Sequence, residues 1–212
     1  MKRTCLAALL ALMLSVPCAS EAADTGYYAA PKLVAGLQKA DWKYLTPSDS
    51  GEDSSSRGVY GFSLAGGYDF SLMYALPIRA EVEYGFNSKS DKHFGGGESE
   101  LGIQTLMVNA YWDITNVQDF TPYVGAGIGL AFLNTSCELD GASYHVRTSD
   151  TSTELAAHIG FGCSYFISSN MSADLGYRYL FTGEGSSGYG GWSMKAEAVR
   201  MHQISLGVRI SF

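Results

Sequence analysis

Large apolar residues alternate strictly with small or polar ones along most of this chain. Only a sheet whose two faces meet different surroundings accommodates that period of two. Near the end, Ile204, Leu206, Val208, Ile210 and Phe212 alternate with Gln203, Ser205, Gly207, Arg209 and Ser211. Further back, Val124, Ala126, Ile128, Leu130 and Phe132 alternate with Gly125, Gly127, Gly129 and Ala131. A helix is excluded there, because each interior glycine would cost about 0.8–1.0 kcal/mol relative to alanine. The same phase runs through eight segments, roughly 27–39, 58–70, 76–87, 100–113, 121–133, 153–167, 172–183 and 202–212. At roughly 10 to 15 residues they exceed the ~5–6 of soluble strands and cover the ~9–11 that a tilted strand needs to cross a bilayer.

The chain opens differently. Met1-Lys2-Arg3 is a short positive head before the apolar run Leu6–Val16, and small residues follow Pro17. This is the layout of a cleaved secretory signal, with Ser20-Glu21-Ala22 at the cut. A run of that length is too short to be a helical anchor, and Pro17 stands where a lipoprotein signal needs a small residue before Cys18. Residues 1–22 are therefore expected to be a signal peptide and 23–212 one exported domain. Removing the signal takes away Lys2, Arg3 and Glu21, so 14 basic and 21 acidic residues become 12 and 20. An acidic chain of this kind lacks the clustered basic surface of a nucleic-acid binder. Charged residues at 17% and aromatics at 13% exclude intrinsic disorder.

Connections between the segments alternate in length. Phe70–Ala75, Ile114–Thr121 and Ser168–Met171 are short, whereas 40–57, 88–99, 134–152 and 183–201 are long and rich in Ser, Gly, Asp and Glu. Short turns on one side and long loops on the other describe an all-β, eight-stranded antiparallel up-and-down transmembrane barrel. An even strand number puts both ends on the periplasmic side.

Parity separates two faces. One carries Leu64, Ile78, Val82, Leu106, Val108, Val124, Ile128, Ile159, Phe161, Leu175, Leu206, Val208 and Ile210. The other carries Lys32, Asp69, Arg79, Glu81, Glu83, Asn109, His158, Asp174, Arg178 and Arg209. Four cations against four carboxylates in an acidic chain point to a narrow polar lumen, where an unpaired charge is strongly unfavourable. Aromatics gather at the ends of the apolar face: Tyr60, Phe62, Phe86, Phe132 and Phe181 on the loop side, Tyr68, Phe70, Trp112, Tyr165 and Phe212 on the turn side. Two such girdles flanking an aliphatic band mark a wall that faces lipid.

The export signal, the eight amphipathic strands, the terminal Phe212, the stretch Leu76–Tyr84 and the stretch Thr121–Gly129 resemble small bacterial outer-membrane barrels. The similarity is to the opacity-type porin family and to the membrane domain of outer membrane protein A, without the peptidoglycan-binding domain of two-domain members. That resemblance implies residence in the outer membrane and a final aromatic, Phe212, read by the outer-membrane assembly machinery. It also implies outer-membrane lipid as the surroundings and loops that contact a host or surface ligand, as an adhesin or surface antigen does.

The lumen charges are expected to form a structural network, with Asp69 paired to Arg79 and Asp174 to Arg209, and eight strands leave no open solute pore. The histidines His93, His145, His158 and His202 show no metal-ligand spacing, and no cofactor is expected. A lipid A-modifying enzyme is the alternative reading, but His202 and Ser205 fall on opposite faces and no G-x-S-x-G elbow occurs. A soluble exported barrel holding an apolar ligand would need Leu206 and Val208 inside and Arg209 outside. Cys137 and Cys163 lie too far apart along neighbouring strands for a disulfide, leaving Cys163 to face lipid. Asp49, Glu52 and Asp53 in the first outer loop and Tyr189, Trp192 and Met194 in the last are candidate contact residues.

Overall fold

The computed structural model describes residues 25–46, 49–88, 90–94, 97–114, 119–141, 144–183, 185–189, 192–196 and 199–212. The expected signal peptide lies outside these residues. Eleven strands appear among them in chain order: β1 (Tyr27–Thr46), β2 (Asp49–Asp69), β3 (Ile78–Asn87), β4 (Ser90–Phe94), β5 (Gly97–Asp113), β6 (Phe120–Gly141), β7 (Tyr144–Ser168), β8 (Met171–Thr182), β9 (Gly185–Tyr189), β10 (Trp192–Ala196) and β11 (Arg200–Ser211). Eight of them form the wall in the order β1-β2-β3-β5-β6-β7-β8-β11, and β11 pairs back onto β1. That seam runs antiparallel from Tyr28↔Ser211 to Lys39↔Arg200 and closes the cylinder, leaving no wall edge unpaired.

The eight expected segments coincide with these wall strands, but the four long connections differ from the loops foreseen at 40–57, 88–99, 134–152 and 183–201. β1 and β2 stay paired out to Thr46↔Asp49, and β6 and β7 out to Gly141↔Tyr144. β4 folds onto β5, while β9 and β10 form a hairpin whose second strand joins β1 between Trp42 and Leu45. Beyond the bilayer both faces of a ribbon meet water, so the apolar alternation disappears from the sequence while the backbone ladder continues.

On the opposite side the connections are tight. The first holds one helical turn, α1 (Ser71–Tyr74), which ends on Ala75 in the left-handed region (φ 51°). Asp69 Oδ1 accepts the Ser71 N–H at 2.9 Å, holding the start of this turn.

Parity places the side chains as the alternation requires. Leu64, Val82, Val108, Ile128, Ile159, Leu175 and Leu206 project outwards, each between 53% and 71% exposed. Ser63, Arg79, Glu81, Glu83, Asn109, His158, Asp174, Gln203 and Arg209 are buried inside. A soluble barrel would have the reverse arrangement. The outward aromatics form two belts. On the turn side Tyr27 and Tyr68 meet edge to face at 4.9 Å and Phe120 tilts against Tyr165 at 4.9 Å. On the loop side Phe62 stacks on Phe86 at 4.9 Å, with Tyr84 against Phe86 at 4.6 Å.

Candidate functional site

The lumen is the chemical centre of the molecule, and it is layered. Nearest the short turns, Arg79 grips Asp113: Nε donates to Oδ1 at 3.0 Å and Oδ2 at 2.8 Å, and Nη2 to Oδ1 at 2.7 Å. Its guanidinium lies 5.1 Å from the Tyr111 ring centroid and 4.9 Å from that of Tyr123, an arrangement in which the π faces stabilise the cation. This corrects the expected Asp69–Arg79 pair. The two residues are directly opposite in the β2–β3 register, but Asp69 serves the turn and Asp113 supplies both oxygens to the planar fork. Beside them Arg209 Nε lies 3.8 Å from Asp174 Oδ2 and donates to Ser172 Oγ at 3.2 Å, while Ser164 donates to Asp174.

The middle layer centres on Glu83 and Glu81. Lys32 Nζ donates to Glu81 Oε1 at 2.5 Å and Glu83 Oε2 at 2.8 Å. Arg178 reaches the other Glu83 oxygen through Nη1 at 2.6 Å and donates through Nε to Gln203 at 2.7 Å. Tyr28, Tyr111 and Asn109 donate to Glu81 at 3.3–3.4 Å, and His158 Nε2 bonds Asn109 Oδ1 at 2.8 Å. Lys32, Arg79, Arg178 and Arg209 thus face Glu81, Glu83, Asp113 and Asp174, so the paired charge of the two layers cancels.

Above the ionic layers the lumen turns apolar, which the expectation of a uniformly polar interior missed. Val59, Ile103, Met107, Leu133, Leu180 and Met201 form a buried cluster on the loop side of the network. Polar positions elsewhere on the same strands had suggested a polar face throughout. Below this stopper lies a cavity of about 40 Å³ bordered by Lys32, Glu81, Glu83, Tyr111, His158 and Arg178. It has room for a few waters.

Three inward tyrosines were also missed, although a signal for them exists. Tyr28, Tyr111 and Tyr123 each stand directly opposite a glycine on the next strand, Gly67, Gly125 and Gly162. A Cβ at those glycines would meet the tyrosine ring at 2.3–2.4 Å. The rings therefore lie across bare backbone, which is how bulky groups fit inside so narrow a cylinder.

The histidine and serine weighed for catalysis stay apart: His202 is exposed on the outer wall, with Nδ1 2.7 Å from the Tyr177 hydroxyl, while Ser205 points inwards. Cys163 is a free thiol on the lipid-facing side. The side chains of Cys137, His93, His145, Asp49, Glu52, Asp53, Tyr189, Trp192 and Met194 lie outside the described residues.

Comparison with known proteins places this geometry among relatives. The family model described as "Outer membrane protein beta-barrel domain" matches residues 6–212. Outer membrane protein PagN of Salmonella typhimurium is 30% identical over 143 residues, covering 61% of this chain and 60% of that protein. A candidate adhesin of Rickettsia bellii is 28% identical over 154 residues, covering 62% of this chain and 68% of its own length. The chain thus spans about three-fifths of the first relatives it matches. Among solved structures, Neisserial surface protein A superposes with a TM-score of 0.51 at 20% identity, over 89% of this chain and 98% of that one. A major outer membrane protein from Thermus thermophilus gives 0.57 at 14% identity, over 85% and 99%. These two likenesses concern the fold.

Proposed function

The chain belongs to the outer membrane protein beta-barrel family, and from that premise we propose that it is an adhesin-like surface protein whose barrel carries hairpins outwards. It resides in the bacterial outer membrane. The observation that carries the proposal is the overshoot of the strands above a blocked lumen. β6 has 22 residues; at ~3.3 Å each and a tilt near 40° it rises about 55 Å, roughly twice the ~25 Å apolar band of such barrels. Paired ribbons of that height present a firm contact surface, and loops on rigid scaffolds are where binding concentrates. The description of the Rickettsia bellii relative as a candidate adhesin supports the same reading.

Within this proposal the lumen residues Lys32, Asp69, Arg79, Glu81, Glu83, His158, Asp174, Arg178 and Arg209 have a structural role, and the protein is no enzyme and no solute pore. The chain is exported by a signal peptide at residues 1–22, inserted through recognition of Phe212 by the assembly machinery, and surrounded by outer-membrane lipid. Display in a non-adherent bacterium tests it. Cells carrying the protein should bind epithelial monolayers above vector controls, and replacing residues 136–149 by an Asn-Gly turn should remove that binding while heat-modifiable gel mobility persists. Full-length protein that confers no binding would refute the proposal. Unchanged lipid A mass spectra on overexpression, and planar-bilayer recordings without steps, are expected alongside.

A further inference from the structure

Among the residues whose side chains the structure describes, Lys39 and Arg200 are the charged ones that point outwards from the wall strands, and both are exposed. They are also direct partners across the closing seam, Lys39↔Arg200 in the β1–β11 register. Like charges directly opposite in an antiparallel pair oppose each other, and no ion pair to either is found among the described residues.

Depth identifies what lies beside them. Arg200 stands twelve positions before Phe212 in the turn-side belt. At ~3.3 Å per residue and a tilt near 40° that is roughly 30 Å, just beyond the ~25 Å apolar band and level with the outer headgroups. Below the pair the wall is aliphatic, with Leu37, Ile204 and Leu206 exposed. Beside it stand Phe181, opposite Arg200, and Tyr179, opposite His202. His202 is the next outward residue on β11, and its ring packs 4.9 Å from that of Tyr179. The Tyr177 hydroxyl lies 2.7 Å from Nδ1, and Nε2 is the ring's other hydrogen-bonding atom beside the two cations.

We propose that Lys39, Arg200 and His202 form a docking site on the outer wall for the phosphate of an outer-leaflet glycolipid, the phosphorylated acyl-disaccharide lipid A. The guanidinium offers a planar fork to phosphate oxygens and the ammonium a point charge. The anion removes the repulsion across the seam, the aliphatic wall below receives the acyl chains, and Tyr179 and Phe181 flank the sugar. This site is independent of the hairpins and of what they bind.

Native mass spectrometry of the full-length barrel released from micelles tests the assignment with three probes: bisphosphorylated lipid A, the same lipid stripped of both phosphates, and inorganic pyrophosphate. The wild type should retain the phosphorylated lipid at least tenfold better than the stripped one. The K39Q/R200Q variant should lose that preference, R200K should keep part of it, and H202A should weaken retention about threefold. Heat-modifiable mobility reports folding of each variant; should the double variant fail to fold, K39Q and R200Q singly carry the comparison. Equal retention by folded charge-free variants would overturn the proposal, as would a wild type indifferent to the lipid's phosphates. Pyrophosphate bound as tightly as the lipid would also overturn it, making the site one for free anions.

Discussion

Glu83 is the residue on which the ionic network turns, and Glu83→Gln measures how dry the lumen is. Its side chain is 1% exposed and holds Lys32 at 2.8 Å and Arg178 at 2.6 Å, one oxygen to each. Substitution keeps the shape but removes the negative charge, and the new amide must turn an N–H₂ group towards one cation. Lys32 keeps Glu81 at 2.5 Å, so the uncompensated charge falls chiefly on Arg178. Breaking one partner out of a buried pair costs about 3–5 kcal/mol. Removing Arg178 as well, in E83Q/R178Q, restores neutrality and should recover about 2–3 kcal/mol of that loss as coupling. Urea titration of the protein folded into phospholipid vesicles, followed by tryptophan emission and gel mobility, reads both quantities. A loss under about 0.5 kcal/mol for E83Q would place the pair in the range of solvent-screened surface bridges, and the argument for a sealed interior would fail.

Leu206 lies midway between Phe212 and Arg200 on the lipid face, 57% exposed to the surroundings; Leu206→Lys should cost about 2–4 kcal/mol in the same vesicles, the penalty of a cation at the bilayer midplane, and a neutral result would place the wall in water. At Gly127 a Cβ would stand 2.2 Å from Asn109 Oδ1 and 2.5 Å from His158 Nε2. Gly127→Val should therefore part that hydrogen bond and destabilise by about 1–3 kcal/mol, with the urea midpoint as readout. Cys163, outward beside Leu175, should react in vesicles with a bilayer-soluble maleimide and resist a charged one, as located by peptide mass.

The wall was legible because the bilayer imposes two solvents on each strand, and alternation such as Ile204 to Phe212 records both. Register followed from the same parity, so the orientation of Leu206 and Arg209 could be read directly. Partner choice inside the lumen could not. Asp69 and Asp113 both point inwards near Arg79, and only the three-dimensional spacing of β3 and β5 decides that Asp113 meets the fork. The apolar stopper was hidden for another reason: Met107, Leu180 and Met201 share a face with charged neighbours, and parity says where a residue points but not which residues gather around it. The outer ribbons escaped because water on both sides erases the period of two while leaving the hydrogen-bond ladder intact.

The stopper also divides the molecule mechanically. Among the described residues every ion pair lies on the periplasmic side of Ile103 and Leu180, and the hairpins begin beyond them. Sequence drift in the exposed tips is thus insulated from the electrostatics that determine whether the chain folds. The tips can therefore change in sequence while the concealed half of the protein stays constant.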